Sequence, residues 1–103
     1  MGAASVQSFV LIIAGHLVVD PADRDAFVED CAQAVGAARA AHGCLDVAVT
    51  ADCLDASTVR ICERWEDEGD LLAFRGSGLS DDQQTAILDP DVRRYEVASV
   101  GDA

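Results

Sequence analysis

The sequence of 103 residues predicts a single α+β domain with an antiparallel sheet and its helices on one sheet face. Patterns typical of strands and helices follow one another in the order strand, helix, strand, strand, helix, strand. The first strand is apolar at every position from Phe9 to Ala14, which is typical of a central strand with both faces covered. The stretch from Val59 to Asp67 alternates like a strand, holds the only tryptophan, and leads directly into a helix start.

The first half of the chain is predicted to form a strand, a long helix and a second strand. Residues 1–8 read as a loose lead-in, and the first strand runs from residue 8 or 9 to about residue 19. Asp20 caps a helix that runs to about residue 41 and ends before Gly43. The second strand alternates over residues 44–50. The apolar stripe of the helix is expected to comprise Phe27, Cys31, Ala34, Val35 and Ala38.

The second half begins with the third strand, which is followed by two helical segments and a fourth strand. Asp67 caps a short helix that runs to about residue 75, with Leu71, Leu72 and Phe74 facing inward. A capping box at Ser80 predicts a further helical segment to about residue 88. Residues 89–91 are predicted to turn the chain, and residues 92–100 form the fourth strand. The domain thus spans residues 9–100, with 101–103 as a tail.

This order of elements is that of the ferredoxin-like split βαβ fold, in which both helices cover the same sheet face. The other face is then left without a helix. Because the first strand is apolar on both sides, the bare face would expose an apolar patch that soluble monomers seldom tolerate. We therefore expect a homodimer, formed through the bare sheet face.

Charge and cysteine spacing exclude several classes of function. A net charge of -12 disfavours binding to nucleic acid or to an anionic membrane surface. The four cysteines are spaced too widely for a C-x-x-C metal or redox motif, so no metal is expected. The sequence shows no convincing secretory signal, and no apolar stretch approaches the ~20 residues that span a bilayer. A cytoplasmic location with reduced thiols is therefore predicted.

The third strand holds the first candidate site. Glu63 and Trp65 are two residues apart, so they share a strand face, together with the apolar Val59 and Ile61. A carboxylate on a mostly apolar face is rarely present unless it is paired or functional, because burying a lone charge is costly. This arrangement predicts a pocket beside Trp65. The alternative is that Trp65 is a core anchor and Glu63 pairs with an arginine on a neighbouring strand.

A resemblance to a known family rests on four features: Glu63-x-Trp65 at the end of the third strand, the acidic helix start Glu66-Asp67-Glu68 with Leu71, the strand start Gly43-Cys44, and Asp20-Pro21-Ala22-Asp23 before the first helix. Over residues 10–100 the sequence resembles the antibiotic biosynthesis monooxygenase family of small dimeric α+β barrel proteins. The resemblance implies oxygenation of a quinol, anthrone or related polyphenol by molecular oxygen as co-substrate, with neither metal nor flavin as cofactor. It also implies a cavity between sheet and helices, which Trp65, Leu71 and Phe74 are expected to line.

Phe74 is a departure from the family pattern. Family members commonly carry a histidine at this place, and haem-degrading relatives use that histidine as the axial ligand. Phenylalanine cannot ligate iron, so haem degradation is disfavoured.

Oxygenation without a cofactor requires a group that accepts or stabilises a phenolic proton. The remaining titratable candidates are His16, Glu63 and Tyr95, and either Arg93 or Arg94 is a candidate to stabilise the resulting anion. His16 has an ordinary alternative as a hydrogen-bonded core residue on the face of Val10, Ile12 and Ala14. The predicted catalytic residues are therefore His16, Glu63, Trp65 and Tyr95. A non-catalytic small-molecule-binding or stress-associated dimer is the alternative function.

Overall fold

The computed structural model describes residues 9–75 and 89–103. The four strands form an antiparallel sheet in the order β2-β3-β1-β4. This confirms the predicted α+β, ferredoxin-like arrangement with helices on one face and the first strand inside the sheet. In chain order the elements are β1 (Leu11–Val18), α1 (Arg24–Asp30), α2 (Ala32–Ala40), β2 (Cys44–Ala51), β3 (Thr58–Trp65), α3 (Glu68–Arg75) and β4 (Asp89–Glu96).

The core lies between the helices and one face of the sheet, because side chains alternate along each strand. Leu11, Ile13 and Leu17 of β1 are at most 5% exposed, whereas the residues between them are only half-buried. We call the side of the sheet that carries Leu11, Ile13 and Leu17 the helix face, and the side that carries Ile12, Ala14 and His16 the open face. One core cluster on the helix face contains Leu11, Ile13, Ala38, Val47, Trp65 and Leu71, and a second contains Leu17, Val19, Phe27, Cys31 and Val59.

The predicted long helix consists of two helices, α1 and α2, which meet at Cys31. The backbone N–H of Cys31 donates to the carbonyls of both Phe27 and Val28 at 3.1 Å. The prediction that Asp20 caps the helix was wrong. Its Oδ1 accepts the N–H of Ala22 at 2.9 Å within a turn that precedes α1, and Asp23 occupies the N-cap position. None of the described helices is long and apolar enough to cross a membrane.

Two residues predicted to face inward are exposed. Leu72 is 54% exposed, because it is rotated by about 100° from its buried neighbour Leu71 on α3. Phe74, three residues after Leu71, lies on the same side of the helix and is half-buried. Ala34 of the predicted stripe is also exposed, although its neighbour Val35 is half-buried.

The fourth strand begins three residues earlier than predicted and ends at Glu96. Residues 89–91, predicted as a turn, pair with β1 instead. Pro90 is compatible with β4 because this strand lies at the edge of the sheet, where a missing N–H donor is tolerated. The predicted helical segment from Ser80 to about residue 88 lies outside the described residues.

Asp52 organises the hairpin between β2 and β3. Its carboxylate accepts the backbone N–H groups of Leu54 at 3.0 Å and Asp55 at 2.8 Å, and also Nε of Arg60 at 3.0 Å. These bonds stabilise the ionised form, with the Asp55 N–H as the largest cause, and lower the pKa of Asp52 from 3.8 to about 2. Arg24 then joins this hairpin to α1, because its Nη1 donates to the carbonyls of Asp52 and Asp55.

Candidate functional site

The sheet register places Glu63 and Trp65 on the helix face. Trp65 pairs with Leu11, and Glu63 pairs with Ile13, both of which are core residues of β1. On its other side Glu63 pairs with the buried Val47 of β2. The predicted shared face of Glu63 and Trp65 is therefore present, and the carboxylate lies between apolar neighbours.

Trp65 is both the centre of the core cluster and the hydrogen-bond partner of Glu63. The indole has no exposed surface, and its Nε1–H donates to Oε1 of Glu63 at 3.0 Å. The ring centroids of Trp65 and Phe74 are 5.4 Å apart, with the planes tilted by 33°. Leu71, from the same helix as Phe74, is fully buried in this cluster. The structure thus brings together Glu63, Trp65, Leu71 and Phe74 as the sequence predicted.

The partner of Glu63 differs from the alternative considered above, in which an arginine on a neighbouring strand held the carboxylate. The indole N–H is a neutral donor, so it orients Oε1 without neutralising the charge. The Glu63 charge affects the half-buried Cys44, which lies opposite Trp65 on β2. Burial is the largest cause that raises the pKa of the Cys44 thiol, and the Glu63 carboxylate raises it further.

Arg94 is the arginine that shares the helix face with this cluster. It pairs with Ile13 from the other side of β1, so Glu63, Ile13 and Arg94 form one row across three strands. Its Nη1 donates to Oε2 of Glu68 at 2.8 Å, and Glu68 lies in the first turn of α3. Arg93, the neighbouring residue, points to the open face and pairs in register with Ala14.

His16 and Tyr95, the other two predicted catalytic residues, lie on the open face. His16 is half-buried and pairs in register with Arg60 of β3 and Asp91 of β4. Tyr95 pairs with Ile12 and is 52% exposed. The sheet itself therefore separates His16 and Tyr95 from Glu63 and Trp65, and one ligand cannot contact both pairs within a single chain.

Sequence reasoning missed the ion pair between Arg94 and Glu68. Strand alternation puts Arg94 and Glu96 on one face of the fourth strand and Arg93 and Tyr95 on the other, but it does not say which of the two sets faces the helices. The pairing of β4 with β1 supplies that information. Glu68 was visible only as part of the acidic start of α3.

The fold and the cluster around Trp65 define a small α+β domain with a carboxylate and two aromatic rings between its sheet and helices. A sequence model of the family described as antibiotic biosynthesis monooxygenase matches residues 10–87. The match spans well over half of the chain. The chain therefore belongs to the antibiotic biosynthesis monooxygenase family.

Solved structures agree with this fold. A conserved protein of unknown function from Bacteroides thetaiotaomicron, described as a possible oxidoreductase, is 14% identical with a TM-score of 0.77, over 88% of this chain and 100% of that one. A candidate antibiotic biosynthesis monooxygenase from Nitrosomonas europaea is 12% identical with a TM-score of 0.74, over 89% and 93% of the two chains. A candidate from Deinococcus radiodurans with the same description is 21% identical with a TM-score of 0.70, over 90% and 97%.

At these identities the structural likeness concerns the fold and not a shared substrate. None of the curated protein sequences is significantly similar to this chain. Family membership makes this a small monooxygenase-like protein, and its chemistry has to be argued from its own residues.

Proposed function

We propose that this protein oxidises an aromatic quinol- or anthrone-like compound with molecular oxygen, using neither a metal nor a flavin, in the cytoplasm. Family membership supports the class of reaction. The single observation that carries the proposal is the bond from the Trp65 indole N–H to the Glu63 carboxylate, beside the ring of Phe74. It puts a candidate base next to two aromatic surfaces in an apolar cluster.

Glu63 is the residue that we assign as general base. Oε1 of Glu63 accepts the indole N–H of Trp65, whereas Oε2 accepts no hydrogen bond from the described residues. Oε2 is therefore the atom that accepts a substrate proton. For an anthrone-type substrate, loss of this proton gives an electron-rich anion that reduces molecular oxygen. The ring methylene becomes a carbonyl that keeps one oxygen atom, and the other oxygen atom leaves as water.

Trp65 and Phe74 are the surfaces on which we place the substrate ring. A planar aromatic compound that stacks on such a ring gains about 0.5 to 1.5 kcal/mol beyond the burial of its area. Because the indole has no exposed surface, the substrate reaches it only when a neighbour such as Phe74 moves. The proposal therefore includes a displacement of α3 when the ligand binds.

We also propose that the protein is a homodimer, formed through the open face. Ile12, Ala14 and Val18 of β1 are only half-buried, and no described helix packs on this side of the sheet. A second copy would bury these apolar side chains. An interface of this kind should exceed the ~1,000 Å² that distinguishes a biological contact from a weak one.

The alternative function is a non-catalytic dimer that binds a small molecule or acts in stress responses. The observation in its favour is the closed packing of Phe74 on Trp65, which is equally suited to a core without a reaction site. The two functions differ in whether oxygen is consumed.

Oxygen uptake by purified, metal-free protein distinguishes them. We expect uptake with members of a panel of hydroquinones and anthrones, and one molecule of oxygen consumed for each anthrone converted. Calorimetric titration of the same compounds serves as the control for binding. Tight binding without any oxygen uptake would contradict the proposed oxygenation and favour the non-catalytic alternative.

A further inference from the structure

The ion pair between Arg94 and Glu68 connects the edge strand β4 to the helix that covers Trp65. Arg94 Nη1 and Glu68 Oε2 are 2.8 Å apart. Glu68 begins α3, and the same helix carries Leu71 and Phe74, which pack on the indole. The pair therefore helps to hold α3 in the position that closes the cluster.

A competing carboxylate can easily replace Glu68 as the partner of Arg94. The side chains of Arg94 and Glu68 are 45% and 54% exposed, and ion pairs at such positions contribute little to stability. In the described strands Arg94 is the one basic residue on the helix face. A ligand carboxylate beside α3 can therefore displace Glu68 and bind the Arg94 guanidinium in its place.

The distance from Glu63 to Arg94 determines what kind of ligand can reach both. Their strands are separated by β1, so the two backbones lie about two strand spacings, or about 10 Å, apart. A group at this distance is too remote to stabilise the oxygen whose proton Glu63 accepts. It is suited to an acidic substituent at the far end of an aromatic compound with two or more fused rings.

We infer that Arg94 is a specificity-determining residue, which binds Glu68 in the ligand-free protein and an acidic group of a fused-ring aromatic substrate in the complex. The inference rests on the proposed function, because it takes Glu63 and Trp65 as the other end of the site. Transfer of Arg94 to the ligand removes this contact from the first turn of α3, where the bond from the Asp70 N–H to the Asp67 carboxylate remains. The loss favours, by a small amount, the displacement of Phe74 that access to Trp65 requires.

Three related ligands test the inference by isothermal titration calorimetry. In 6-hydroxy-2-naphthoate the hydroxyl and carboxylate lie at opposite ends, in 3-hydroxy-2-naphthoate they are adjacent, and 2-naphthol has no carboxylate. We expect 6-hydroxy-2-naphthoate to bind about ten- to a hundredfold more tightly than 2-naphthol, as for a hydrogen bond between charged groups. The adjacent isomer should show no such gain. Since the chain carries a net charge of -12, overall charge opposes this preference.

Two substitutions in the ion pair should act in opposite directions. Arg94→Ala should remove the preference for 6-hydroxy-2-naphthoate, whereas Glu68→Gln should tighten its binding about two- to fivefold, because the competing carboxylate is lost. If the pair were merely structural, both substitutions would change affinity in the same direction. Arg93→Ala is the control, since Arg93 is the neighbouring arginine and forms an exposed pair with Asp91 at 3.3 Å on the opposite face. It should bind all three ligands like the wild type.

Unchanged binding of 6-hydroxy-2-naphthoate by Arg94→Ala would overturn the inference, as would weaker binding by Glu68→Gln. Failure of the wild-type protein to bind any of the three ligands would also overturn it. The proposed oxygenation has its own readout in oxygen uptake with anthrones, so it can survive either result.

Discussion

The two faces of the sheet carry similar residue types but offer different chemistry. On the helix face, Trp65 lies in a closed apolar cluster, and the half-buried Glu63 beside it accepts the indole N–H. On the open face, His16 and Tyr95 lie among arginines and aspartates, and Tyr95 is 52% exposed. The helix face thus offers a carboxylate oriented by an indole N–H beside two aromatic rings. The comparison supports the proposal of Glu63 on the helix face, and not His16 on the open face, as the general base.

The open face differs in charge as well as in accessibility. Arg60, Arg64 and Arg93 lie there, which is three of the seven basic residues in a chain whose net charge is -12. Asp46 and Asp91 lie on the same face, so a second copy docked through its own open face can present carboxylates to these arginines. The open face is therefore better suited to association than to catalysis.

The largest expected effect is on stability at the centre of the helix face. Trp65→Ala should lower the free energy of unfolding by about 3 to 5 kcal/mol, because a fully buried ring is removed from the core. Tyr95→Ala, on the open face, should change it by about 0.5 kcal/mol or less under conditions where the protein is monomeric. Denaturant unfolding measures both. Equal losses of unfolding free energy for the two variants would contradict the view that the core lies on the helix face alone.

A smaller loss of unfolding free energy is expected from a substitution at Gly43, where the loop before β2 approaches α3. Gly43 has a φ of 79°, and a Cβ at this position would collide with the Asp70 side chain. Gly43→Ala should therefore cost about 1 to 3 kcal/mol in unfolding free energy. Gly36→Ala in α2 is the control, because a Cβ there meets nothing within 4 Å and should stabilise the protein by about 0.4 to 1 kcal/mol. A stabilised Gly43→Ala variant would contradict this account of how α3 is docked.

The proposed dimer can be broken on the open face without disturbing the core. Ala14→Arg places a long charged side chain between Cys62 and Arg93, so the mass measured by light scattering should fall from that of a dimer to that of a monomer. Leu72→Arg adds the same side chain to an exposed site on α3 and should leave the dimer intact. A wild-type protein that is monomeric at micromolar concentration would refute the dimer itself.

The smallest effect concerns acid stability at the hairpin that holds Arg60. Because the pKa of Asp52 falls from 3.8 to about 2 on folding, its contribution is fully present above pH about 4 and is lost as the pH falls towards 2. Asp52→Asn should therefore lose less stability than the wild type over this interval. Asp102→Asn in the exposed tail is the control. Parallel acid profiles for wild type and Asp52→Asn would contradict the assigned role.

Much of the fold was predictable because local patterns and the fold agree. Alternation identified the faces of β3, and the Asp67 cap is present, with its Oδ1 accepting the N–H of Asp70 at 2.9 Å. The start of β4 was not predictable from local rules. Pro90 is typical of turns, and only its position at the sheet edge, a property of the whole sheet, makes it acceptable in a strand.

The site was predictable in part for a related reason. Glu63 and Trp65 are close in sequence, so strand periodicity alone placed them together. His16, Tyr95 and Arg94 come from other strands, and a shift of one residue in pairing would move each of them to the opposite face. The bond between the Trp65 indole and Glu63 depends on side-chain rotamers, which no sequence pattern specifies.

The most direct test of the helix face as the reaction site compares oxygen uptake by Glu63→Gln and His16→Gln. Glutamine at position 63 can still accept the indole N–H of Trp65, so the fold should be retained while the base is lost. With an anthrone that the wild type oxidises, Glu63→Gln should reduce the rate by about a hundredfold or more, the usual contribution of a general base, and His16→Gln should leave it unchanged. A full rate in Glu63→Gln together with loss of activity in His16→Gln would contradict the account and place the chemistry on the open face.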